Sequence, residues 1–176
     1  MVTKKLNAVL GLLVTLLLWI HAISISISML TMGAVGRAPA ILSWALAALM
    51  LLHVFVSIEM LFSSHFAVEG PRGKAYPKLN RTMIFQRAGG MLLLVATIPH
   101  VLGALGVITP SPVVHAILPP IFFAIAMMHT AVSFSKCLIS LGIGTARFIK
   151  AADIAAKVIC AATLVAAIVG FYLYAV

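Results

Sequence analysis

Four histidines stand inside four separate apolar segments of this chain: His21, His53, His100 and His129. An imidazole in hydrocarbon carries two ring nitrogens that need partners, and an ionisable residue within a membrane span usually marks function. Four such residues, one per segment, make two pairs, and two axial pairs are what two haem groups require. A haem iron with two axial histidines has no open coordination site, so the expected chemistry is electron transfer and not oxygen binding.

The elements that must position these residues follow from composition. The 176 residues are 64% hydrophobic and 9% charged, with a mean hydropathy of +1.22. A soluble domain carries about 25% charged residues, so an integral membrane protein is expected. A span takes roughly 20 apolar residues, which limits the chain to about five or six. Hydropathy breaks place helix I at 6–32, II at 40–65, III at 82–107, IV at 113–142 and V at 155–175. This predicts an all-α integral membrane fold, one domain over 1–176, with five transmembrane helices of which I–IV form a haem-binding four-helix bundle. The first apolar run is too long for a signal-peptide core and has no clear small-residue cleavage site, so it reads as a retained helix. Gly142 and Gly144 are expected to stop helix IV. A short amphipathic piece with Arg147, Lys150, Asp153 and Lys157 leads into helix V. Cys137 and Cys160 show no metal-type spacing and read as small buried thiols.

A net charge of +9 suggests nucleic acid, but its distribution argues against that partner. The cations cluster at span ends, as the positive-inside rule expects for a membrane protein. One side collects Lys4, Lys5, Arg72, Lys74, Lys78, Arg81, Arg147, Lys150 and, at its margin, Lys157; the other holds Arg37. The N-terminus is therefore expected in the cytoplasm and the C-terminus outside. At 1.5 Å per residue, His21 and His100 lie roughly 22 and 27 Å from the cytoplasmic starts of their helices, and His53 and His129 roughly 18–20 Å from the cytoplasmic ends of theirs. The arithmetic leans toward an outer pair, His21 with His100, and an inner pair, His53 with His129. The competing reading of any one of them is an interhelical hydrogen bond. His65 and His115, near span ends, are expected to be solvated or interfacial.

Haem propionates need cations near span ends. Arg87 in the first turns of helix III and Lys136 in the last turns of helix IV are candidates, with snorkelling to the surface as the alternative. Glu59, about two turns inward of His53, is expected to form an ion pair with Lys136 or Arg87. Gly11, Ala88, Gly89 and Gly90 would let helices approach a flat macrocycle, although small residues also serve plain helix packing. Pro99, before His100, and Pro119 and Pro120, before His129, are positioned to kink their helices.

The order of these features resembles the dihaem cytochrome b subunit of succinate:quinone oxidoreductases and quinol:fumarate reductases. Leu6-Asn7-Ala8-Val9-Leu10-Gly11 followed by His21 looks like that family's first helix. Phe85 through Gln86, Arg87, Ala88, Gly89 and Gly90 to His100 looks like its Gln-Arg-x-Ser-Gly…His helix, and His129 followed by Ser140-Leu141-Gly142-Ile143 resembles its fourth-helix ending. The resemblance covers nearly the whole chain. It implies that His53 and His129 hold the haem b nearer the cytoplasm, and His21 and His100 the other. It implies an iron–sulfur subunit docked on the cytoplasmic face with a flavoprotein beyond it, a quinone (menaquinone foremost) as substrate, a prokaryotic inner membrane, and a complex able to oligomerise. No catalytic residue for the dicarboxylate would lie on this chain. A quinone site is expected at the outer end, near Ser24, Ser28, Arg37 and Trp44. Where the family has Ser, this chain has Gly89; where Trp precedes the glycine, it has Leu141; and the outer region from Thr31 to Trp44 holds no carboxylate. The alternatives are a cytochrome b subunit of another membrane dehydrogenase, of hydrogenase or formate dehydrogenase type, and a haem-free anchor.

Overall fold

The computed structural model describes residues 2–31, 38–66, 77–109 and 111–175. Among them are five helices: α1 (Val2–Leu30), α2 (Ala38–Phe66), α3 (Pro77–Ala104), α4 (Pro112–Leu141) and α5 (Ala146–Ala175). All five are long and apolar enough to cross a membrane. Helices are what such sequences must form, because the bilayer offers no water and a helix satisfies its backbone groups internally. The fold is that of an all-α membrane protein.

Helix ends follow local chemistry. Ser111 caps α4, its side chain accepting from the Val114 amide. Gly142 closes α4 in a left-handed conformation, φ 70°, while the Ile143 amide reaches back to the Leu138 carbonyl. Gly144 is also left-handed, φ 86°, and a Cβ there would run into the Phe148 ring. The amphipathic piece expected before helix V is instead the first three turns of α5 itself. Thr145 caps it by accepting from the Phe148 amide at 3.3 Å, and the Asp153–Lys157 ion pair, one turn apart, supports it. Asp153 also accepts from Ser135 of α4 at 2.8 Å, which ties the start of α5 to the end of α4.

The helices pack in the order α2–α1–α4–α3, with α5 laid across both α1 and α4. The tightest apolar packing lies on the α5 side, outside the four-helix set. Trp19 and Ala22 of α1, Ala126 and Met127 of α4, and Ala156 and Cys160 of α5 form one buried cluster. Three alanines let the backbones approach, and Trp19 fills the space between, its ring 5.3 Å from that of Phe134 and its Nε1 donating to Cys160 Sγ at 3.4 Å. Both cysteines are thiols. No comparable packing joins α2 to α3 among the described residues.

Pro99, Pro119 and Pro120 all lie within continuous helix. A proline lacks the amide that would bond the carbonyl four residues back. Pro120 thereby leaves the Ala116 carbonyl open, and Tyr172 of α5 donates its hydroxyl to that oxygen at 3.3 Å. Tyr172→Phe is expected to lower stability by about 0.5–1.5 kcal/mol. In a Pro120→Ala background, where residue 120 supplies its own amide, the same change should cost much less; a double-mutant cycle of detergent unfolding measures the difference.

Candidate functional site

The face of α1 and α4 turned away from the apolar cluster carries the histidines. Three contacts set α1 against α2, each step forward on one helix matching a step back on the other. Ser57 Oγ donates to Asn7 Oδ1 at 2.9 Å, Gly11 lies over the His53 ring, and Ser43 Oγ lies 3.3 Å from His21 Nδ1. The α3–α4 pair is built in the same way. Lys136 Nζ donates to Gln86 Oε1 at 2.8 Å, Gly89 and Gly90 lie over the His129 ring, and the His100 ring stacks on Phe122, 4.3 Å between centroids.

The histidines therefore occupy two levels. Gly11 precedes His21 by ten residues on α1, and Gly90 precedes His100 by ten on α3, so the levels are separated by about 15 Å of helix rise. His53 and His129 lie near the chain's N-terminal side and within electrostatic reach of each other. His21 and His100 lie toward the opposite side, likewise within reach of each other. The members of each pair come from helices that do not pack closely together, α2 with α4 and α1 with α3. Among the described residues no three of His, Cys, Asp or Glu converge, so the potential ligands come in twos.

In the N-terminal-side pair each ring lies against the preceding helix, His53 on Gly11 of α1 and His129 on Gly89 and Gly90 of α3. The Nδ1 atoms of both rings are buried and have no partner. A shallow cavity of about 140 Å³ opens beside His129, lined by Phe85, Gly89, Met128 and Val132.

The other candidates are dispersed. Lys136 is half-buried with a neutral amide as its partner, and Glu59 is exposed on α2, so the expected Glu59–Lys136 ion pair is replaced by the Gln86–Lys136 bond. A neutral acceptor leaves the amine its charge while saturating one of its donors. Arg87 is exposed about three turns into α3, as is Ala88. Ser24 and Ser28 are half-buried on α1, whereas the serine between them, Ser26, is buried and bonds back to the Ala22 carbonyl at 2.7 Å. Trp44 is 65% exposed, next to Ser43. Arg37, Arg72 and Lys74 lie outside the described residues, as do the side chains of His65, Lys78 and Arg81. His115 is exposed at the start of α4, its ring 5.5 Å from Phe171.

Sequence reasoning missed Asn7 as more than a family-like residue, and missed Ser43, Ser57 and Phe122 altogether. A signal for the first was present. An amide residue, a glycine four later and a histidine ten after that occur twice, as Asn7–Gly11–His21 and as Gln86–Gly90–His100. No protein-family model, curated protein or solved structure matches this chain.

Gln86→Leu is expected to cost about 1–3 kcal/mol, because Lys136 loses an acceptor. Gln86→Leu with Lys136→Leu should cost less than Gln86→Leu alone. Unfolding of the three proteins in mixed micelles reads the difference.

Proposed function

We propose that this chain is a dihaem cytochrome b membrane anchor of the succinate:quinone oxidoreductase and quinol:fumarate reductase type, passing electrons between a membrane quinone and an iron–sulfur subunit. The observation that carries the reading is the pair of unused, buried Nδ1 atoms on His53 and His129. A buried nitrogen without a partner costs about 1–3 kcal/mol, and a ligand held between the two rings would remove that cost at both. Gly11, Gly89 and Gly90 provide the close approach: a Cβ on Gly90 would stand 3.1 Å from His129 Cε1.

Haem, held by the paired histidines, would supply one-electron transfer. The chain's own residues do the rest. With haem bound, His53 and His129 would tie α2 to α4 across the bundle, and His21 and His100 would tie α1 to α3. Lys136, on the N-terminal side and held by Gln86, offers a cation to a propionate; Arg87 is the second candidate. Ser43 fixes the His21 ring and Phe122 the His100 ring. Two levels about 15 Å apart suit electron transfer across the membrane. The basic span ends support a prokaryotic cytoplasmic membrane with the N-terminus inside, the flavoprotein and iron–sulfur subunits on that face, and a quinone site at the opposite end around Ser24, Ser28, Arg37 and Trp44.

One observation favours a second reading. Each histidine already has a neighbour on an adjoining helix: Gly11, Gly90, Ser43 or Phe122. Such contacts alone would serve a haem-free anchor. A pyridine haemochrome assay with a reduced-minus-oxidised spectrum separates the two. Two low-spin haem b per chain are expected, falling to one in His53→Ala, His129→Ala, His21→Ala or His100→Ala. The first two variants should lose the same spectral component and the last two the other. A chain purified without haem would leave the hydrogen-bonded anchor.

A further inference from the structure

We infer that Ser133 is a binding residue for the haem between His53 and His129, its hydroxyl donating to a propionate on the Lys136 side of that pair. The inference rests on the dihaem reading. Among the described residues, the buried side-chain atoms without a hydrogen-bond partner are His53 Nδ1, His129 Nδ1 and Ser133 Oγ. Ser133 is 9% exposed. It stands on α4 four residues after His129 and three before Lys136, about 6 Å along the helix from the first and about 4.5 Å from the second. A hydroxyl in a helix ordinarily bonds the carbonyl one turn back. Ser26 does so to Ala22 and Thr97 to Leu93. Ser133 makes no such bond to the His129 carbonyl.

The direction of Ser133 follows from its neighbours on α4. His129 faces α3, its ring against Gly89 and Gly90, and Cys137 faces α1, its Sγ against Gly11. At 100° per residue Ser133 lies about 40° round the helix from each of them. It is therefore directed between α1 and α3, two helices that do not pack closely together, and so into the interior that the His53 ring enters over Gly11. No side chain of either helix bonds its hydroxyl there. A buried hydroxyl with nothing to bond costs free energy, and an acceptor removes that cost. With the Lys136 amine one turn further along the same helix, the acceptor that suits the place is an anion, which strengthens the bond. Haem carries its anions as carboxylates. One ligand would then satisfy all of these atoms, its iron at the two imidazole nitrogens and a propionate at the hydroxyl, with Ser133 giving a neutral donor deeper in the span than Lys136.

The full-length chain, with the subunits that co-purify, is compared as wild type, Ser133→Ala and Ser26→Ala, each loaded with haem carrying isotope-labelled propionates. Ser26 is the control, a buried serine already satisfied by its own helix. The readouts are the reduced-minus-oxidised infrared bands of the labelled carboxylates and the rate at which each haem passes to an excess of a soluble haem-binding globin. The spectral component missing from His53→Ala identifies the haem in question. Ser133→Ala should shift a propionate band of that haem and release it roughly tenfold faster, the effect of losing a hydrogen bond to a charged group. The other haem, and both haems of Ser26→Ala, should match wild type. Two haems with unshifted bands in Ser133→Ala would overturn the inference. So would a shift confined to the other haem, or faster release with no shift, which would make Ser133 a packing residue. Those results leave the dihaem reading standing, whereas wild type without haem overturns that reading as well.

Discussion

Everything polar in this bundle is governed by the lack of water around it. A hydroxyl, amide or imidazole inside a span is left unsatisfied unless it bonds its own helix or a neighbouring one. Ser26 and Thr97 take the first course, bonding carbonyls one turn back, and so contribute nothing to how helices meet. Asn7, Ser57, Gln86 and Lys136 take the second, as do His21 and Ser43. Their bonds fix the register of α1 on α2 and of α3 on α4, which nonpolar surfaces alone would leave loosely specified.

This divides the molecule into two faces around a common pair of helices. On one face α5 clamps α1 and α4 through alanines and Trp19. On the other, α2 and α3 carry polar groups that reach α1 and α4. The division makes mechanical sense for a site of paired ligands. The α1–α4 pair, backed by α5, is a rigid support of the kind that holds ligands at defined spacing, and it carries one member of each histidine pair, His21 on α1 and His129 on α4. The other members ride on α2 and α3, which are attached to that support and not closely to each other.

Much of this was legible in the sequence. Span number and approximate limits followed from hydropathy, because the bilayer sets the length of apolar helix that each crossing needs. The end of α4 at Gly142 followed from glycine's tolerance of positive φ. Boundaries moved where local chemistry competed with hydropathy: α5 begins nine residues before 155, at Ala146, because the Thr145 cap and the Asp153–Lys157 pair support a polar first segment that an apolar window excludes. The expected partner of Lys136 was an acid, Glu59. Hydropathy and spacing place both near one membrane face, but only the direction each side chain takes around its helix decides whether they meet, and Glu59 is exposed while Lys136 turns to Gln86.

By itself the sequence determined the class of fold, the number of spans and the two depths at which imidazoles stand, because each depends only on local composition and on rise per residue along a helix. Tertiary structure decided that Nδ1 of each inner histidine is buried without a partner, that the His100 ring stacks on Phe122, and that the apolar core forms with α5. Those outcomes depend on the azimuth of each side chain and on which helices lie side by side. Neither is encoded by distance along the chain; both are set where small residues such as Gly11, Gly90, Ala22 and Ala126 permit two backbones to come close.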